Sequence, residues 1–230
     1  PWVIYFPFSK LTAALLGGEF LLFVLYIFPP FRLKERGMLG VVTDALYAHV
    51  NPVILAALTF KGLAKTEIPG FYWMFGSMAL WQLFLGMRNI LLHQIKDHEN
   101  DVQSGIKTFS THYGRDKAKA WVAQFFAPLE LIGFLLFLSV LAIYTWLPMA
   151  AWPIYLLWAF LKNGHPKSIR TWLYLYLDDF YIQWLPVTIL ASLMIYDWRM
   201  GILLGFQLLF FKTAIANSRD RLFRFLKLKS

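Results

Sequence analysis

Cysteine is absent from this 230-residue chain, which excludes disulfides and thiolate metal sites and leaves the redox compartment unread. Charge is scarce too. Charged residues make up 15% of the sequence, against about 25% in an ordinary soluble domain. Acids are the scarcer sign, 13 against 22 Lys and Arg. No signal peptide is recognisable, and the first residue is Pro1 rather than Met. No internal repeat, low-complexity segment or long linker divides residues 1–230, so the sequence reads as one domain. What abounds is hydrocarbon: 59% of residues are hydrophobic and 19% aromatic. A chain of this length cannot hide so much apolar surface in one water-soluble core. The fold class it predicts is all-α, a polytopic transmembrane helical bundle.

Apolar runs near the ~20 residues needed to cross a bilayer fall at 11–29, 38–60, 69–93, 119–145, 150–161, 177–196 and 200–216. The fifth is short enough to be tilted, partial or re-entrant. The loops between these seven spans alternate in charge. Arg32, Lys34 and Arg36 follow the first span, and Lys61, Lys65 and Glu67 the second. Lys96, Lys107, Arg115, Lys117 and Lys119 follow the third, while Thr145 to Trp152 carries no charge. Lys162, Lys167 and Arg170 come next, then the short turn Asp197-Trp198-Arg199, then a basic tail from Lys212 to Lys229. Basic loops face the cytoplasm. The alternation therefore predicts a multi-pass protein of the cell inner (cytoplasmic) membrane, with Pro1 outside and the 96–108 loop and C-terminus inside. The net charge of +9 follows from that topology and from contact with anionic membrane lipids; nucleic acid is not needed as a partner.

Trp2, Tyr5, Tyr72, Trp73, Trp146, Trp152, Trp172 and Trp198 cluster near span ends, the pattern of an interfacial aromatic belt. Polar residues inside spans are costly in hydrocarbon and must face a partner or a cavity. In the second span Asp44, Tyr47 and Asn51 stand at i, i+3 and i+7, one helical stripe. Pro52 should kink the helix beside them and free a carbonyl. The third span adds Gln82, Arg88, Asn89, His93 and Gln94. Glu19, Gln124, Glu130 and the pair Asp178–Asp179 complete the set; the last pair reads as capping a helix N-terminus, where acids are favoured, or else as lining the cavity mouth. Each alone reads equally well as a hydrogen bond between helices. Together they imply a polar cavity opening on the cytoplasmic side, with Asp44, Asn51, Asn89 and His93 as candidate lining. His49, His98, His112 and His165 show no metal-ligand spacing.

The densest acid lies between two apolar runs, in Lys96-Asp-His-Glu-Asn-Asp-Val-Gln-Ser-Gly-Ile-Lys-Thr108. Asp97 and Asp101 are four apart, so a helix continuing through them sets both carboxylates on one face, about 5–6 Å apart at Cβ. Glu99 points elsewhere. Such a pair at a membrane surface, with Lys107 nearby, suits a divalent cation bridging to phosphate. The plainer alternative is a solvated loop.

This stretch, followed by Tyr113-Gly114, resembles the second aspartate-rich motif of the UbiA-type intramembrane prenyltransferases. Pro29-Pro30-Phe31-Arg32-Leu33-Lys34-Glu35-Arg36 resembles the basic turn after that family's fourth helix, and the spans from 38 to 196 resemble its fifth to ninth. The resemblance implies Mg²⁺-dependent transfer of an isoprenyl group from an allylic diphosphate to a lipid-soluble, often aromatic, acceptor. Asp97 and Asp101 would hold the metal, and Lys107, with Arg32, Lys34 and Arg36, would contact the diphosphate. Asp44 and Asn51 would orient the acceptor.

The chain also departs from the family pattern. The first aspartate-rich motif has no counterpart, residues 1–29 contain no aspartate, and the likeness begins at the fourth helix. His93 stands where the family often has tyrosine, and Asp44 where a small residue is usual. The span 200–216 is additional. Two readings stay open. In one, the missing helices and first motif lie upstream of Pro1 and the protein is an enzyme. In the other, a short relative keeps the fold without the chemistry, as a noncatalytic subunit that binds a lipid, quinone or pigment or packs within a larger membrane complex. A transporter is disfavoured because no pair of discontinuous spans recurs in matching halves.

Overall fold

The computed structural model describes residues 9–64, 67, 69–163 and 173–211. The expectations for Pro1, Trp2, Tyr5, Lys65, His165, Lys167, Arg170, Trp172 and the tail from Lys212 to Lys229 lie outside the described residues.

All regular structure among the described residues is helical. Helix α1 (Lys10–Ile27) starts at Ser9, whose hydroxyl accepts the Thr12 amide at 3.1 Å. It stops before Pro29-Pro30, a pair that cannot continue a helix. No residue of α1 is fully buried; one side is exposed, as lipid-facing helices are, and the other lies half-buried, with Phe23 and Tyr26 packed on Tyr47. After a short turn at Leu33–Glu35 comes α2 (Met38–Ala45), a wide π-helical turn (Leu46–Val50) and α3 (Asn51–Ala64). The first span therefore matches 11–29 closely, and the second runs without a break from Met38 into α3.

Pro52 does not end that second run. The turn widens just before it, and the Asn51 amide reaches back five residues to the Leu46 carbonyl. The extra residue rotates α3 by about 100° relative to an unbroken helix. Asp44 and Tyr47 keep their shared face; Asn51, expected on the same stripe, is turned away from it.

Helix α4 (Phe71–Gln103) has 33 residues. At 1.5 Å per residue that is about 50 Å, longer than the ~30 Å hydrocarbon layer is thick, but its polar residues keep it outside the runs apolar enough to count as spans. Short helices α5 (Phe109–Tyr113) and α6 (Arg115–Trp121) follow, then a second wide turn (Val122–Phe126) and α7 (Ala127–Leu141). By length and composition, three helical runs can cross a membrane: Lys10–Ile27, Met38–Gly62 and Arg115–Leu141. Leu147–Lys162 and Met200–Phe210 are shorter apolar helices. The protein is an all-α integral membrane bundle.

The chain divides into two compact units, Pro1–Val140 and Leu141–Ser230. In the first, α4 is the central element, with α2, α3, both wide turns, α5 and α6 packed on it. Its apolar contact with α7 stacks Trp81 on Phe137 and tilts it against Phe134, ring centroids 5.4 and 5.0 Å away. Backbones approach closely there. A Cβ on Gly133 would stand 2.7 Å from the Trp81 backbone nitrogen. Gly133→Ala must therefore part the two helices, and we expect it to cost about 1–3 kcal/mol, read as a lower thermal midpoint in detergent. Deeper along the same contact, the Arg88 guanidinium grips both oxygens of Glu130, and both side chains are wholly buried.

In the second unit, α8 (Leu147–Asn163), two wide turns (Tyr174–Asp178 and Phe180–Trp184), α9 (Leu185–Leu193) and α10 (Met200–Phe210) follow in order. The expectation that Asp178–Asp179 cap a helix start fails for Asp179. Its backbone is helical, with φ −62° and ψ −38°. Its buried carboxylate accepts from the Tyr155 hydroxyl of α8 at 3.0 Å and from the Gln183 amide. It joins helices within the apolar interior, the structural alternative weighed for every polar residue in a span. Tyr72, Trp73, Trp146 and Trp198 are each more than two-thirds exposed, as rings of an interfacial belt are.

Candidate functional site

Helix α4 runs straight through the acidic stretch, so Asp97 and Asp101 sit one turn apart on its last turns. The way the helix ends explains the spacing Asp-x₃-Gly. Gly105 adopts φ +67°, its amide returns to the Val102 carbonyl at 3.2 Å, and the Ile106 amide returns to the Asp101 carbonyl at 2.9 Å. This is the two-bond left-handed helix end that glycine makes without steric cost. Gly105→Ala keeps the polarity and loses that conformation. We expect a loss of about 1 kcal/mol, which chemical unfolding in detergent measures.

The chain then reverses immediately. Thr108 caps α5 in a reciprocal arrangement with Thr111. Its hydroxyl points toward Asp101 Oδ2 at 3.5 Å, the long end of hydrogen-bond reach. Gln94 Oε1 accepts the buried Ser110 amide at 3.3 Å, and His98 Nδ1 lies 2.9 Å from Ser110 Oγ. These two bonds fasten α5 against α4 and hold the intervening loop over the acid pair. Glu99 faces away and pairs with Arg115 at 3.0 Å.

Asp97 and Asp101 line a pocket of about 160 Å³ together with His93, Gln94 and Ile90 of α4, Tyr26 of α1, Lys34 of the Leu33–Glu35 turn, and Ile106 and Thr108 of the loop. That volume is small beside the several hundred Å³ of a site enclosing a whole drug-sized molecule; it suits a polar head with its tail outside. Of the four expected cations, Lys34 is in the lining. Arg32 pairs with Glu35 at 3.0 Å, Arg36 donates to the Pro30 carbonyl at 3.1 Å, and Lys107 is exposed. Of the four lining candidates, His93 is in this pocket; Asp44 of α2, Asn51 of α3 and Asn89 of α4 are half-buried but not part of its wall. Tyr26 escaped the sequence reading. It lies in an uninterrupted apolar run, one of many aromatic residues, and the chain reversal after Pro30 is what brings it over α4.

The electrostatics favour a cation. Two carboxylates stand at the C-terminal end of α4, where the helix carries partial negative charge, and like charges one turn apart repel. No group of three or more acid or imidazole side chains converges among the described residues. A pair is nonetheless a usual complement for Mg²⁺, which takes one or two carboxylates and completes its shell with phosphate oxygens and water. The donor set therefore fits that ion when a diphosphate shares the pocket with Lys34.

The structure is that of an integral membrane helical bundle that brings an acid pair and a lysine to one small pocket. The chain belongs to the UbiA prenyltransferase family, whose family model matches residues 2–181. The matched region takes in α1 to α8 and ends before α9. Comparison with curated proteins and with solved structures finds no match.

Proposed function

We propose that this protein is a membrane prenyltransferase that moves an isoprenyl group from an allylic diphosphate to a lipid-soluble acceptor with the help of Mg²⁺. The observation that carries the reading is the convergence of Asp97, Asp101 and Lys34 on one pocket. Asp97 and Asp101 would hold the metal. Bound there, the ion would neutralise negative charge gathering on the departing diphosphate. Lys34 binds a phosphate oxygen directly and adds a compact positive charge. Thr108 and the bonds from Gln94 and His98 keep the loop closed over the head group. The apolar faces beside the pocket keep water from the allylic fragment, which would otherwise be captured before it reached the acceptor.

The same reading assigns the basic turn at Arg32–Arg36 and the acid pair to the cytoplasmic side of the cell inner membrane, with lipid headgroups as neighbours. Purified protein given geranylgeranyl or a shorter allylic diphosphate should release diphosphate in the presence of Mg²⁺ and stop when the metal is chelated. Failure to release it under any of these conditions would leave a noncatalytic role, holding a lipid, quinone or pigment or packing in a larger complex, as the better account.

A further inference from the structure

Lys34 shares a pocket of about 160 Å³ with Asp97 and Asp101, yet it forms no ion pair among the described residues. A lysine on a flexible stem would close on two carboxylates in so small a space unless its backbone were held back. The turn that carries it is braced within itself. Arg32 pairs with Glu35 at 3.0 Å, and Arg36 donates to the Pro30 carbonyl at 3.1 Å. That turn lies close on α2: a Cβ on Gly40 would stand 2.6 Å from the Leu33 carbonyl oxygen and 3.0 Å from the Lys34 Cα. Joining turn to helix is Gly37, buried and with φ +57°, a conformation glycine adopts without steric cost. The Tyr113 ring of α5 closes over this joint. A Cβ on Gly37 would meet Tyr113 Cε2 at 3.2 Å.

Tyr113 is held from its other side by the helix that bears the acids. Ser110 of α5 is wholly buried. Its amide is bonded to Gln94 and its hydroxyl to His98, both on α4. Beside it, Phe109 packs on the Tyr113 ring with centroids 4.7 Å apart, and Lys117 Nζ lies over that ring at 4.8 Å. A short packed path therefore runs from α4 through α5 to the joint of the Lys34 turn. We propose that Tyr113 is a positioning residue: it wedges the turn at Gly37 and holds Lys34 clear of Asp97 and Asp101, so that metal-bound diphosphate fits between them. The inference rests on the prenyltransferase reading and deepens its diphosphate site. Tyr113 is not in the pocket lining and acts only through the turn. Such preorganisation favours binding because cation and acids need not first be pulled apart. A ring carbon makes the contact with the joint, so the bulk of the ring carries the role and the hydroxyl does not.

The test uses the purified chain in detergent with Mg²⁺. Calorimetry reads the binding of inorganic diphosphate, and steady-state rates read its release from geranylgeranyl diphosphate. Tyr113→Ala should weaken diphosphate binding about tenfold, the scale of one lost hydrogen bond to a charged group, and raise KM by a like factor with kcat little changed. Tyr113→Phe should bind as the wild type does. Lys34→Met should lose about as much as Tyr113→Ala. The double variant should bind no more weakly than Lys34→Met alone, because the wedge acts through that lysine; a tyrosine with a separate structural role would add its own loss. Should Tyr113→Ala not fold, Gly37→Ala, which forces the same joint, takes its place with the same expected results. Wild-type binding by the wedge variant, a Tyr113→Phe chain as weak as Tyr113→Ala, or additive losses in the double variant would each overturn the proposal. A wild-type chain that binds diphosphate but releases none from geranylgeranyl diphosphate would overturn the transferase reading, while the binding series still decides on Tyr113. One that binds no diphosphate would overturn both.

Discussion

Asp101→Asn and Asp97→Asn should each reduce Mg²⁺-dependent diphosphate release by about two orders of magnitude, the several kcal/mol that a metal supplies to a developing anion. An amide keeps the shape and removes the charge. Folding should survive. Both acids stand at the negative end of α4, so neutralising either removes an unfavourable interaction worth a few tenths of a kcal/mol. The combination of a collapsed rate with an unchanged or slightly raised unfolding midpoint separates a metal ligand from a structural acid. Glu99→Gln is the matched control. Its carboxylate meets Arg115 away from the pocket, and exposed pairs of this kind contribute about 0–1 kcal/mol. It should release diphosphate at the wild-type rate. Wild-type rates for both aspartate variants would remove the pair from the mechanism.

The second large effect is on stability. Glu130→Ala should destabilise the protein by about 3–5 kcal/mol, because it removes the buried carboxylate that the Arg88 guanidinium grips. Arg88 and Glu130 both have no exposed side-chain surface and meet through two hydrogen bonds, one of 3.1 Å. Arg88→Met should cost a similar amount by removing the guanidinium that holds the buried carboxylate. The double variant Arg88→Met, Glu130→Leu removes both charges and should recover most of the loss, since apolar replacements of a buried pair are often neutral or better. Chemical unfolding in detergent measures all three. A single variant as stable as wild type would mean that water or lipid headgroups reach the pair.

That ion pair shows where the sequence stops informing. Arg88 and Glu130 are each recognisable as expensive residues inside spans, but 42 positions separate them and no spacing rule joins residues on different helices. Asp97 and Asp101 are easier, because both their separation and the glycine after them obey the geometry of one helix. The run of the helices is readable for the same reason: a bilayer fixes their length, and apolar stretches declare it. Lys34 can be placed among four nearby cations, yet which of them turns inward depends on Arg32 finding Glu35 and Arg36 finding the Pro30 carbonyl. Asp179 misleads because two adjacent acids near a helix start imitate a cap; its partner Tyr155 lies 24 residues earlier.

The wide turn at Leu46–Val50 has one more implication. It is a one-residue phase slip built into an otherwise regular rod, the kind of surplus an insertion leaves when a helix absorbs it without breaking. Everything before Leu46, Asp44 included, keeps its bearing on α4, and everything after it is dialled round to a new heading. A lineage that dropped one residue there would not shorten a loop; it would swing the outer half of the span, Asn51 with it, through a quarter-turn or so and swap which face meets lipid.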